Sequence, residues 1–113
     1  MADQRILYPR DEQTCEQFST RAMDERSNFD VVEFTLTQKF EFMRYLTENA
    51  PQLRPKPSDR GAFVAPEEIN LLLPAFESAM AATTNAEFRC VLNSARDKAV
   101  ASRNAGRPIW IFR

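Results

Sequence analysis

Glycine occurs only twice in this chain, at Gly61 and Gly106, and that scarcity restricts its folds more than any other count. Tight primed β-hairpins need residues at positive φ, most often glycine. An all-β fold built from many such hairpins is therefore disfavoured, and the chain leans helical. Glycine-rich phosphate loops of the G-x-G-x-x-G or Walker type are missing too, which removes the nucleotide enzymes built on them. A length of 113 residues matches one compact domain spanning 1–113. A hydrophobic content of 43% is enough for a core, so wholesale disorder is not expected.

The chain contains no histidine, the commonest metal ligand and the commonest general base. Its two cysteines, Cys15 and Cys90, stand far apart outside any C-x-x-C pair. A tetrahedral zinc site needs about four closely held Cys or His ligands, so no metal is expected. Free thiols are favoured over a disulfide, because disulfide-dependent secreted domains usually carry several bridges. A cysteine nucleophile would lack its usual base, and Glu67 and Glu68, as neighbours on a helix, point in different directions. These absences argue against an enzyme and against a cofactor. The start of the chain is too polar for a signal sequence. The longest apolar run, Leu71 to Phe76, is far shorter than the roughly twenty residues that cross a bilayer. A soluble cytoplasmic protein is the expectation.

Residues 4–8 read as a short strand stopped by Pro9. Asp11 starts a thin amphipathic helix that ends near Arg26, with Cys15, Phe18 and Ala22 on its apolar side. Val31 to Thr37 is a candidate strand. Thr35 and Gln38 have the spacing of a capping box, and a helix is predicted over about 37–49 with Phe40, Met43 and Leu46 as its stripe, flanked by Phe42 and Tyr45. Residues 51–60 hold three of the seven prolines and read as an extended connector. Pro66, Glu67 and Glu68 start a helix that Pro74 should kink or break. Thr84 and Glu87 form a second capping-box pattern, opening a helix that ends near Asn104 before Gly106 and Pro108. Ile109 to Phe112 is a strand or docked tail. The expected architecture is α+β and mostly helical, with four or five short helices and a small sheet formed by the terminal segments and residues 31–36.

Charge is polarised beneath a net value of -1. Residues 1–35 hold eight acids against four bases, residues 36–68 five of each, and residues 69–113 three acids against six bases. Arg89, Arg96 and Arg103 are spaced by seven and share one helix face, while Lys98 and Arg107 lie off it. Arginine outnumbers lysine twelve to three, which suits bidentate contacts at an interface. The candidate partner-binding residues are therefore Arg89, Arg96, Arg103, Arg107 and Arg113. The plainer alternative is a solvated face whose bases complement the helix dipole.

The function these features favour is stoichiometric docking on another protein, as an inhibitor or adaptor of the kind that phages and mobile elements encode. Two alternatives remain. One is a homo-oligomer joined through its acidic and basic faces, building an assembly or a pocket for a small anion such as a nucleotide. The other is a nucleic-acid binder that uses a helix-turn-helix around Thr83 and Thr84, although that turn lacks glycine. No membrane partner is expected.

Overall fold

The computed structural model describes residues 5–10, 29–51 and 62–112. Strand β1 (Arg5–Pro9) ends at the proline, which has no donor to continue the ladder. It pairs antiparallel with β2 (Phe29–Glu33), Arg5 opposite Glu33 and Pro9 opposite Phe29. The β-branched run around Val31 does form a strand, but it starts earlier than predicted and stops at Glu33, because Thr35 is taken by the following helix. Thr35 Oγ1 accepts from the Gln38 amide at 3.1 Å, and Gln38 Oε1 accepts from the Thr35 amide at 3.0 Å. This reciprocal cap starts α1 (Leu36–Asn49).

Next come β3 (Ala62–Val64), a 3-10 turn (Pro66–Glu68), α2 (Ile69–Ala82), α3 (Ala86–Asn104) and β4 (Ile109–Ile111). The sheet is antiparallel in the order β2-β1-β4-β3. The two strands nearest the ends of the chain thus form its centre. Exposure of the apolar tail is avoided in this way: Ile109, Trp110, Ile111 and Phe112 are all buried. The fold is α+β and mostly helical with a small antiparallel sheet, as the sequence implied. The fourth strand, β3, was not anticipated, since three residues show no usable alternation.

Among the described residues there are three α-helices rather than four or five. The helix predicted over 11–26 lies outside the described residues, as does most of the proline-rich stretch 51–60. Of the kink or break expected at Pro74, the break does not occur, and α2 runs through it as one element. Proline within a helix costs about 3 kcal/mol. Against this, Ile69, Leu72 and Phe76 are fully buried, each contributing roughly 1.5–3 kcal/mol, and the proline itself is exposed.

Two helix details also differ from the sequence pattern. The cap of α3 is Asn85, whose Oδ1 accepts from the Phe88 amide at 2.9 Å, not Thr84. Thr83 Oγ1 accepts from the Asn85 amide and holds that cap in place. On α1 the buried residues are Phe42 and Leu46, continued by Ala50, while Phe40 is 62% exposed. The predicted stripe was therefore rotated: positions four apart from Phe42 face inward, with Met43 and Tyr45 at their flank.

The core lies between the sheet and the helices. Ile6, Tyr8, Val32, Ile109 and Ile111 supply its sheet face. Leu7 and Trp110 alternate to the other face and are buried as well. At the centre Phe42 stacks on Phe76 at 4.8 Å between ring centroids, with Phe34 and Phe112 against it.

Candidate functional site

Helices α2 and α3 lie antiparallel, and the arginines spaced by seven face the neighbouring helix. Arg103 Nη1 donates to Asn70 Oδ1 at 2.8 Å near the start of α2. Arg96 Nη1 donates to Glu77 Oε1 at 2.7 Å at its middle, and the Arg96 Nη2 group reaches Asn93 and Asp97 on its own helix. Arg89 Nη2 donates to the Thr83 carbonyl at 2.6 Å and its Nε to the Met80 carbonyl at 3.4 Å, closing the end of α2. These contacts run the length of both helices, so the pair is an αα-hairpin rather than the crossed pair of a helix-turn-helix. The heptad of arginines is a seam within the fold.

Arg107 sits elsewhere. Helix α3 ends in a Schellman turn, in which the Gly106 amide bonds the Arg103 carbonyl and the Arg107 amide bonds the Ser102 carbonyl. The turn requires the left-handed backbone of Gly106, at φ 69°. It directs Arg107 toward the end of β1. There a cleft of about 290 Å³ is lined by Tyr8, Pro9, Arg10, Asp30, Asp97, Lys98, Ala101, Ser102 and Arg107. Arg113, the remaining predicted residue, lies outside the described residues.

Both carboxylates of the cleft are already held. Arg10 bonds Asp30 through Nη2 and, at 3.0 Å, through Nε. That hydrogen bond holds the Asp30 carboxyl below its ordinary value against the opposing effect of partial burial, and the positive charges of Lys98 and Arg10 add to the lowering. Asp97 accepts from Arg96. By contrast, the side chains of Lys98 and Arg107 make no hydrogen bond or close ion pair among the described residues. Both are half-buried. The cleft therefore carries two cations that no direct hydrogen bond holds among the described residues, Lys98 acting on Asp30 only through its charge.

Tyr8 forms the floor. Its hydroxyl donates to the Ala95 carbonyl at 2.9 Å, and burial pushes its phenol well above the ordinary value. As pH rises past about 10 the unfolded chain releases that proton while the folded chain keeps it, so stability falls. Tyr8→Phe is expected to cost about 0.5–1.5 kcal/mol at neutral pH and to flatten the alkaline loss in urea denaturation followed between pH 8 and 11. An equally steep loss in the variant would show that Tyr8 is not its source.

Sequence reasoning noted that Lys98 and Arg107 lie off the arginine face but did not join them. Lys98, Ala101 and Ser102 share a helix face at spacings of three and four, a signal present in the sequence. Arg10 and Asp30 meet only through the pairing of β1 with β2, which the sequence does not reveal. Cys90 is a free thiol on the exposed side of α3. Among the described residues, no three His, Cys, Asp or Glu side chains gather closely enough to hold a metal ion, and no helix is long and apolar enough to cross a membrane. Compared with family models, curated proteins and solved structures, the chain matches none of them.

Proposed function

We propose that this chain is a non-enzymatic binding protein that docks stoichiometrically on another protein, as an inhibitor or adaptor, through the cleft and the end of α3 beside it. The observation that supports this reading is the division of labour among the cations of α3. Arg89, Arg96 and Arg103 are engaged by α2, whereas Lys98 and Arg107 line an open cleft and make no hydrogen bond there among the described residues. Arginine at such a site offers a planar donor fork suited to an acidic group. The part played by four of the five candidate arginines is thereby divided: Arg107 contacts the partner, and the three seam arginines hold the helix that presents it, while Arg113 lies outside the described residues.

The test is affinity capture from lysate with increasing amounts of bait. The expected result is a saturable partner at one-to-one stoichiometry, lost on Lys98→Glu with Arg107→Glu, at two side chains that make no hydrogen bond among the described residues. Absence of any saturable partner, or full capture by the double variant, would sink the reading.

A second reading, binding of a small anion such as a nucleotide, is favoured by the concavity of the site. At about 290 Å³ the cleft lies at the lower limit of ligand pockets, which begin near 300 Å³.

A further inference from the structure

We infer that the cleft between β1, β2 and the last turns of α3 is a site for a phosphate monoester group, held by Lys98 and Arg107 with Ser102 beneath it. The inference rests on the reading of this cleft as the binding surface and specifies what enters it. Three observations carry it.

The first is charge. Arg10, Lys98 and Arg107 line the cleft together with Asp30 and Asp97, but Asp97 is bonded by Arg96 and Asp30 by Arg10. An entering group therefore meets Arg107 together with Lys98, whose attraction to Asp30 involves no direct hydrogen bond, two cationic donors that attract a doubly charged phosphate more strongly than a singly charged carboxylate. Paired Arg and Lys donors are also the usual holders of phosphate oxygens.

The second is the state of the helix end. The last turn of an α-helix carries a partial negative charge that would repel an anion. Here the carbonyls of Ala101, Ser102 and Arg103 accept from Ala105, Arg107 and Gly106 at 3.1, 2.9 and 3.0 Å. The two bonds of the reversed turn occupy the last-turn carbonyls of Ser102 and Arg103 and so lessen that repulsion, and the same turn brings the Arg107 side chain to the cleft.

The third is size. About 290 Å³ accommodates one phosphate and part of the group bearing it, but not a dinucleotide. Ser102, buried yet part of the cleft lining, supplies a hydroxyl in a position otherwise lined by Ala101 and Pro9.

The experiment is a titration of the full chain with methyl phosphate at constant ionic strength, followed by amide NMR at pH 5.5 and 7.5, with acetate in parallel. Shifts at Lys98, Ala101, Ser102 and Arg107 are expected to saturate. Binding should weaken at least about tenfold in Lys98→Ala with Arg107→Ala, which removes two charge-assisted contacts. It should tighten several-fold from pH 5.5 to 7.5, because a phosphate monoester gains its second charge near pH about 6. The groups facing the site are Tyr8, Arg10, Asp30, Asp97, Lys98 and Arg107. The chain has no histidine, the side chain whose ordinary titration falls between these two pH values, whereas a phosphate monoester gains charge across them.

Shifts that never saturate, affinity unchanged in the double variant, or acetate binding as tightly as methyl phosphate would each overturn the inference. Amide dispersion verifies folding, and Lys98→Gln with Arg107→Gln repeats the test should the alanine pair unfold. Adenosine monophosphate and a phosphoserine pentapeptide identify the source, since whichever binds more tightly than methyl phosphate bears the group. Arginine-dependent capture of a protein without methyl phosphate binding would remove only this inference. Methyl phosphate binding without any captured protein would remove only the docking function.

Discussion

Phe42→Ala is expected to lower unfolding free energy by about 3–5 kcal/mol, against the roughly 5–15 kcal/mol that holds a typical domain together. The reason is position. Phe42 is fully buried, stacks on Phe76 at 19° between ring planes, and touches Phe34 and Phe112 at 5.7 and 6.0 Å between centroids. It joins α1 to α2 and to the end of β4, so the cavity left by its ring cannot be filled by one neighbour. Phe40→Ala, two residues earlier and 62% exposed, should stay within about 0.5 kcal/mol of the parent. Urea denaturation of the two variants measures the contrast directly, provided the slope is unchanged. Equal losses would mean that α1 is rotated from the orientation described.

The second large effect is expected at Phe112. Strand alternation sends Ile109 and Ile111 into the helical core and Trp110 to the opposite face, so Phe112 would follow Trp110. It does not, because its φ is 58°, a left-handed backbone that costs a non-glycine residue about 1–2 kcal/mol. That turn brings the ring back against Phe34 in an edge contact at 5.7 Å and beneath the Lys39 ammonium at 5.5 Å. Burial of a phenylalanine outweighs the strain. Phe112→Ala keeps the strained backbone and loses the ring, for an expected cost of about 3–5 kcal/mol. Phe112→Gly also loses the ring but relieves the strain, and should fall within about 1 kcal/mol of the alanine variant despite glycine's greater freedom when unfolded. If glycine proved far worse than alanine, the left-handed turn at this position would be wrong.

Much of this fold was legible in local chemistry, and the failures have physical causes. Thr35 with Gln38 and Gly106 before Pro108 marked their helix ends correctly, because capping depends on residues within one turn of each other. The strand expected over residues 4–8 is found as Arg5–Pro9, ending at the proline itself for an equally local reason. The break offered as one outcome at Pro74 does not occur, because the local penalty of proline is set against the buried contacts of Ile69, Leu72 and Phe76. Phe40 was placed inward because both rotations of α1 offer an aromatic stripe, and only packing against α2 chooses Phe42. At the site, heptad spacing correctly put Arg89, Arg96 and Arg103 on one face. It carried no information about whether that face meets solvent or another helix, and Asn70, Glu77 and Thr83 settle this by receiving them. The cleft depends on a strand pair, a helix face and a reversed turn meeting in space, and the local spacing of Lys98, Ala101 and Ser102 does not by itself reveal that meeting.

Nitrogen-15 NMR of the arginine side chains measures most directly whether α3 divides its cations between an internal seam and an open cleft. A guanidinium fixed by hydrogen bonds turns slowly and shows separate Nη resonances, whereas a free one averages them. In the unliganded protein, Arg89 and Arg96 are predicted to give resolved, slowly exchanging signals, and Arg107 a single averaged one. A fixed Arg107 beside freely averaging Arg89 and Arg96 would contradict the account.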